Sequence, residues 1–462
     1  MTIWIPDLSG RRGPLYLAIA DAIGEAVENG ALGEGERLLP QREFAYRLGL
    51  TVGTVSRAIA LAQKRGLVRG EVGRGSYVSG NSIQRPGLDI RPRTTTDVVD
   101  LSCFLPGGNG VTTAIADVMR EVALEANLRA LHRYPPGSGI WSHRIAGANW
   151  MRRFGFEARA EEVIVCPGAQ QALSAIVAAI TSPGDAILSE ALTYSGLKQL
   201  AHLFHLRPEG IAVDEEGIVP DALEAACASS AARVLYVQPS IHNPTTAVMS
   251  AGRRKDIAAI ARKFGLTVIE DASCAAFLEG AAPPLVTLVP ERTCFVAGTS
   301  KSLSPSLRTA FLRSPPDLHS HIVATMHTLS LSGSALMAEV AARLVSGPRI
   351  ESILTTLAGE LADRHKLVET VLGQFNIQHH PAAPFAWLKL PGSWRAGDFL
   401  AATQMHDVAV AGAENFAVGR SNAPHDIRIS VGVNPRHGDF RSGLESLAGL
   451  LAKSPHPQDS II

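Results

Sequence analysis

The chain has 462 residues, too many for one hydrophobic core and enough for two or three domains. Hydrophobic residues make up 46% of it and charged residues 19%, which excludes a disordered chain and fits a well-buried globular one. The 43 basic and 43 acidic residues cancel, so net charge argues neither for nor against nucleic acid and only its local distribution can decide. Five scattered cysteines (Cys103, Cys166, Cys227, Cys274 and Cys294) show no metal-ligand spacing and point to a reducing compartment. Without a basic-then-apolar leader or a run of about 18 apolar residues, the expectation is a soluble cytoplasmic protein.

Residues 11–80 read as a first unit. In PLYLAIADAIGEAVENGAL the apolar residues Leu15, Ile19, Ile23 and Val27 recur at helical spacing, and Gly30 suits a helix stop. LPQREFAYRLGL follows, with Pro40 placed to start a second helix that carries Phe44, Ala45 and Leu48 on one face. In TVGTVSRAIALAQKRGLV, Thr51 fits a cap while Val55, Ala58, Ile59 and Ala62 face inward. LVRGEVGRGSYV then reads as a glycine-rich hairpin.

Three short helices, a tight GLTVG turn and a hairpin describe a winged helix-turn-helix. Between Arg37 and Gly80 stand eight basic residues against two acidic ones, the charge footprint of a phosphate-contacting face. The same pattern also fits a dimerisation or protein-binding module. Residues 81–97, SGNSIQRPGLDIRPRTTTD without its first two residues, have the composition of a linker.

From about residue 98 the pattern changes. EVIVC precedes QQALSAIVAAI, DAILS precedes YSGLKQLAHLF, VLYVQP precedes a helix from about Ser250, and LTVIED and TCFVAG follow. Strands alternating with helices predict an α/β domain around a mostly parallel sheet over 98–320. Residues 321–455 read as connecting helices and a smaller α+β subdomain that includes FAWLKL and IRISVG.

Loops that follow strands are where such a domain builds its site. They carry Gly168, Ala169 and Gln170 at a strand-to-helix turn, then Tyr194, Asn243, Asp271, Lys301 and Arg308. Each alone has a plain alternative as a packing aromatic, a turn former, a strand-end cap or a surface lysine. Together they make one chemistry. A lysine amine can form a Schiff base with an aldehyde cofactor, and a carboxylate opposite a pyridine nitrogen keeps that nitrogen protonated. An arginine with hydroxyls and helix N–H groups can hold a phosphate. Pyridoxal 5′-phosphate combines those three features.

The order LY, AI, AV, G, L, LP, R, A, LG, T, TV, A, GL and GSYV across residues 15–78 resembles the DNA-binding domain of the GntR family. That resemblance implies a third helix reading the major groove, with Thr51, Gly53, Thr54, Ser56 and Arg57 at the DNA, Arg42 on backbone phosphate, and Arg74 with Gly75 in the wing. Residues from roughly 100 to 450 resemble the fold-type I aminotransferases, and the joined pair resembles the MocR subfamily of GntR regulators.

The second resemblance implies residue roles. Lys301 is the expected Schiff-base lysine, Asp271 the partner of the pyridine nitrogen, Asn243 a donor to the phenolic oxygen and Tyr194 a ring stacked on the cofactor. Ala169, Gln170, Ser300 and Arg308 would hold the phosphate, and Arg428 a ligand carboxylate. Tyr134, in RYPPGSG, falls where the family brings a tyrosine across a dimer. Three departures weaken the case for transamination. Ser273 and Cys274 stand where a tyrosine often follows the aspartate, NPTG is replaced by NPTT at 243–246, and Gly298 replaces a hydroxyl residue three before the lysine, leaving Thr299 and Ser300 as the nearest substitutes.

The expected function is a transcription regulator that senses pyridoxal phosphate or an amino compound condensing with it. The alternatives are an aminotransferase with an accessory helical domain and a scaffold that uses the large domain only to dimerise. The expected partners are a double-stranded DNA operator, a small amino-compound effector and a second copy of the chain in a head-to-tail homodimer, with no metal and no membrane.

Overall fold

The computed structural model describes residues 4–6, 8, 14–28, 31–32, 36–64, 67–71, 75–78, 98–106, 108–125, 131–419, 423–432 and 440–453. The chain divides into two units, 1–87 and 88–462. In the first, Ile19, Ile23 and Val27 of α1 (Leu15–Glu28), Phe44 and Ala45 of α2 (Gln41–Leu48), and Val55, Ala58, Ile59 and Ala62 of α3 (Val52–Lys64) close a single core. Leu15 is 46% exposed, so the buried stripe of α1 begins one turn later than its apolar pattern.

α2 ends on Gly49, whose left-handed φ of 66° lets its N–H return to the carbonyls of Ala45 and Tyr46 and turns the chain toward α3. Thr51 caps α3, its Oγ1 accepting from the Thr54 N–H at 3.2 Å. β1 (Val68–Glu71) and β2 (Gly75–Val78) then pair antiparallel, and Val68 and Val78, which face each other in that register, join the helical core. This is the arrangement of a winged helix-turn-helix. Gly30, Arg74 and the linker 81–97 lie outside the described residues.

The second unit holds β3 (Val163–Cys166), β4 (Ala186–Glu190), β5 (Arg207–Ile211), β6 (Val234–Val237), β7 (Thr267–Asp271), β8 (Thr293–Gly298) and β9 (Ala310–Arg313). They form a seven-stranded sheet in the order β3-β9-β8-β7-β6-β4-β5. β9 runs antiparallel to both neighbours and the other pairs are parallel. Helices α4 (Ala169–Ile180), α5 (Ser195–Leu203) and α6 (Ala251–Phe264) lie among the connections.

Every residue of β4, β6 and β8 is buried, as a parallel sheet covered on both faces requires. Ile187, Tyr236, Ile269 and Val296 pack with Leu173 and Ile176 of α4 on one face. Leu188, Leu235, Val237 and Val268 pack with Ile257 and Ala261 of α6 on the other.

The C-terminal subdomain contains α7 (Ile350–Leu372), β10 (Ile377–His379), β11 (Phe385–Lys389), β12 (Ala411–Gly412), β13 (Asp426–Ser430) and α8 (Phe440–Leu451). Its antiparallel strands are ordered β10-β11-β13-β12. Val99–Asp100 also folds here, pairing in parallel with Val408–Ala409, and Leu101 exchanges backbone hydrogen bonds with Ala409 and Ser430 at 2.7 Å each. Residues 102–104 are thereby drawn alongside β13. Among the described residues no helix is long and apolar enough to cross a membrane.

Candidate functional site

Lys301 lies in the turn just beyond β8, where the sheet stops and backbone groups open toward a cleft. Its Nζ donates to the Phe104 carbonyl at 3.1 Å and lies 5.7 Å from the Phe104 ring centroid. No carboxylate among the described residues pairs with it. Burial lowers the Lys301 pKa, and the charges of Arg428 and Arg308 push it the same way, against the opposing influence of Cys103 and Cys274. A desolvated lysine between cations gives up its proton readily and becomes a nucleophilic amine.

Asp271 ends β7 and is 4% exposed. Its Oδ1 accepts from the Ser273 N–H at 2.9 Å, and its Oδ2 accepts from the Tyr236 hydroxyl at 2.8 Å and from Gln238 Nε2 at 3.5 Å. Burial pushes the Asp271 carboxyl pKa up, with the Ser273 and Tyr236 contacts pulling it back.

Sequence reasoning missed Tyr236, Gln238 and Glu190. Gln238 links the groups: its N–H donates to Glu190 Oε1 at 2.8 Å, and its Oε1 accepts from the Asn243 N–H at 3.2 Å. Burial, with a smaller contribution from Asp271, pushes the Glu190 carboxyl up to about 7. A polar residue in the otherwise apolar run VLYVQP was the available signal.

Asn243 and Arg428 meet although 185 residues separate them, with Arg428 Nη1 donating to Asn243 Oδ1 at 2.8 Å. That contact leaves the Asn243 amide N–H groups as its remaining donors. Arg428 Nη2 donates to the Ser102 carbonyl at 2.7 Å, and its buried Nε has no partner. The guanidinium lies between the rings of Phe385 and Phe416, at 4.8 and 4.7 Å from their centroids. Burial lowers its pKa to about 10, because desolvation disfavours the charged form.

A second cluster forms at the start of α4. Gly168, with φ 98°, caps the helix, and a Cβ there would come within 2.6 Å of the Arg308 guanidinium. Arg308 itself is held in the left-handed region at φ 44°, ψ 42°, a conformation that costs a non-glycine residue energy and aims its side chain at the α4 N-terminus. Ala169 and Gln170 supply the first helical N–H groups, and Gln170 Nε2 donates to the Gly196 carbonyl at 3.2 Å while its buried Oε1 has no partner. The Tyr194 ring sits against Gly196, in the space a side chain there would fill. Ser300 is half-buried in the turn before Lys301. Thr299 is not available as a substitute hydroxyl, because its Oγ1 donates to the Thr309 carbonyl at 2.8 Å. A helix N-terminus with an arginine over it is a binding place for an anion such as phosphate.

In the first unit, Arg42 on α2 and Arg57 on α3 are exposed and form no ion pair among the described residues. Thr51 and Gly53 are exposed at the start of α3, and a Cβ on Gly53 would meet only Thr51 Oγ1, at 3.8 Å. Two expected DNA-reading hydroxyls are otherwise engaged. Thr54 is half-buried with its Oγ1 2.9 Å from that of Thr51, and Ser56 is half-buried with its Oγ donating to Gln41 Oε1 at 2.6 Å. Both side chains are thus half-buried, the Ser56 hydroxyl joining α3 to α2 and the Thr54 hydroxyl meeting that of Thr51 at the start of α3. Gly75 begins β2 opposite Glu71, and Arg74 falls outside the described residues. Tyr46 on α2, not expected, is 87% exposed, and Tyr134 in the second unit is 83% exposed. Among the described residues no cluster of His, Cys, Asp or Glu is placed to hold a metal ion.

Residues 97–439 match the profile of the family described as aminotransferase class I and II. The chain is similar to an uncharacterized HTH-type transcriptional regulator, YdeF, of Bacillus subtilis, 30% identical over 450 residues that cover 97% of this chain and 96% of the relative. It is also similar to the vitamin B6 salvage pathway transcriptional repressor PtsJ of Salmonella typhimurium, 26% identical over 417 residues covering 89% and 93%. Among solved structures, the alpha-aminoadipate aminotransferase LysN of Thermus thermophilus shares the fold at a TM-score of 0.70 and 23% identity, over 78% of this chain and 95% of that one.

Proposed function

Because the chain belongs to the aminotransferase class I and II family, and as a whole resembles GntR regulators of the MocR type, we propose that it is a DNA-binding transcription regulator governed by pyridoxal 5′-phosphate. The observation that carries this reading is Lys301: a desolvated amine without an acid partner, within one site that also holds a buried carboxylate, an anion-binding helix start and a buried arginine whose Nε has no partner. The unpartnered atoms Gln170 Oε1, Ser273 Oγ and Arg428 Nε fit a site built around a polar ligand.

Pyridoxal phosphate supplies an aldehyde and an electron-accepting pyridine ring. The chain's own residues supply the rest. Lys301 is the nucleophilic amine. Asp271, kept in place by Tyr236 and the Ser273 N–H, holds a proton at the pyridine nitrogen. Asn243 donates to the phenolic oxygen, since its Oδ1 is already engaged by Arg428. Tyr194 stacks on the ring, and Ala169, Gln170, Ser300 and Arg308 hold the phosphate.

Arg428 binds the carboxylate of an amino compound, which would provide the counter-ion its flanking rings do not. Such a ligand shifts DNA binding only if it favours one of two arrangements of the chain over the other. On the DNA side, α3 enters the major groove, and Arg42 and Arg57 contact phosphates. The exposed Tyr134 suits a residue that reaches a second subunit in a homodimer. Purified protein given pyridoxal phosphate should absorb visible light, and Lys301→Ala should remove that absorption. Wild-type protein that takes up no pyridoxal phosphate would overturn the cofactor reading.

A second reading, an aminotransferase, is favoured by the intact set of Lys301, Asp271, Asn243 and Arg428. It requires sustained turnover of an amino acid and a keto acid, whereas a sensor shows a ligand-dependent change in spectrum and DNA affinity without it.

A further inference from the structure

Among the described residues, Ser273 Oγ is the one buried hydroxyl without a hydrogen-bond partner. Its surroundings explain why. Gly298, the last residue of β8, has no side chain, and a Cβ placed on it would lie 3.3 Å from Ser273 Oγ and 3.5 Å from the Ala169 Cβ. The bare position therefore leaves a gap between the Ser273 hydroxyl and the first turn of α4.

The hydroxyls of Thr299 and Ser302 do not fill that gap. Thr299 Oγ1 donates to the Thr309 carbonyl at 2.8 Å, and Ser302 Oγ turns back to the Thr299 carbonyl at 3.4 Å. The nearby Asp271 carboxylate, whose pKa the Ser273 hydroxyl helps to hold down against burial, already accepts from the Ser273 N–H on one oxygen and from the Tyr236 hydroxyl on the other, and the Ser273 hydroxyl makes no well-aligned bond to it. A buried hydroxyl donor left without an acceptor is unfavourable, and in a binding site it marks a place where a ligand supplies the acceptor. The adjacent surface is the α4 N-terminus with Arg308 over it, which selects an anion.

We propose that Ser273 is a positioning residue for the phosphate ester: its hydroxyl donates across the gap at Gly298 to the phosphate held by α4 and Arg308. The serine two residues after Asp271 thus takes the place of a hydroxyl at position 298. This rests on the reading that the site takes pyridoxal phosphate.

The test is a titration of wild type and Ser273→Ala with pyridoxal phosphate and with pyridoxal, which lacks the phosphate, followed by visible absorption. Loss of a hydrogen bond to a charged group should weaken pyridoxal phosphate by about 10- to 100-fold and leave pyridoxal affinity unchanged. Ser273→Thr, which keeps the hydroxyl, should retain wild-type affinity, and it guards against a variant that merely folds badly. In the Ser273→Ala background, Gly298→Ser should recover much of the loss, because the 3.3 Å approach to Ser273 Oγ is then gone and the Cβ atoms of Ala169 and residue 273 lie at ordinary contact distances of 3.5 and 3.6 Å. Equal weakening of both compounds would place the hydroxyl on the ring or on Asp271, and an unchanged affinity for pyridoxal phosphate would remove it from binding altogether. Either result overturns the proposal while leaving Lys301-dependent absorption, and so the cofactor reading, intact. A wild-type protein that takes up no pyridoxal phosphate removes both.

Discussion

The α3 face of the first unit and the cleft of the second use polar residues in opposite ways. Arg42, Arg57, Thr51 and Gly53 are exposed around a closed apolar core, and the two arginines form no ion pair among the described residues. In the cleft, Asp271, Asn243, Glu190 and Arg428 hold one another through Gln238 and nearby backbone carbonyls, with few atoms left over. A surface that docks on a charged polymer can keep its cations solvated until contact. A pocket for a small molecule has to prepay desolvation, so its groups are preorganised by neighbours. A change at one of these exposed residues therefore acts on binding alone, whereas a change in the cleft acts on binding and folding together.

Lys301 should show the strongest response. Lys301→Ala should abolish the visible absorption of cofactor-loaded protein while leaving DNA affinity of the cofactor-free protein unchanged; a variant that still absorbs would mean another amine holds the aldehyde. Next is Gly168→Ala. Its Cβ would press on the Arg308 guanidinium, and its φ of 98° suits only glycine, so affinity for pyridoxal phosphate should fall by about 10- to 100-fold in an equilibrium titration. Unaltered affinity would separate Arg308 from the phosphate.

Arg42→Ala and Arg57→Ala act on the other side. Each should weaken DNA binding and lower the salt slope by roughly 1, with the folded stability of the first unit changed by no more than about 0.5 kcal/mol. Fluorescence anisotropy across a salt series measures the slope, and thermal unfolding measures the stability. Ser56→Ala should show the reverse pattern: about 0.5–1.5 kcal/mol lost from the first unit as the bond to Gln41 disappears, and a smaller change in DNA affinity than for Arg57.

The smallest effect is a slope. Because burial raises the folded pKa of Glu190 to about 7, from an ordinary value of about 4.5, the folded state holds this proton more tightly than the unfolded chain. Its contribution to stability is therefore full below about 4.5 and declines as pH rises to about 7, after which it is constant. Glu190→Gln should flatten that part of the pH–stability curve measured by chemical denaturation. An unchanged curve would mean Glu190 titrates normally.

The alternation of strands and helices was legible because both faces of the sheet are covered, which leaves near-continuous apolar runs such as VLYV and TCFVAG. Lys301, Asp271 and Asn243 were legible for a related reason: the polar residues that end those runs sit where backbone and side chains face the cleft. Tyr236 and Gln238 were hidden because their direction depends on strand register, which a period of two leaves open until pairing is known. The contact between Arg428 and Asn243, and those of Ser102 and Phe104 with Arg428 and Lys301, join segments far apart in the chain, and no local pattern encodes them. In α3 the pattern identified which helix faces outward. It did not reveal that the Ser56 hydroxyl faces the joint between α2 and α3, because a short polar side chain serves equally well in a joint or on a surface.

The backbone at residues 102–104 gives the cleft a second character. Two carbonyls on either side of Cys103, those of Ser102 and Phe104, accept from Arg428 and Lys301 respectively. They form a clasp, and the clasp is anchored by Leu101, whose backbone is stitched to both Ala409 and Ser430. A ligand that draws either cation to itself loosens one half of the clasp, and one that draws both opens it.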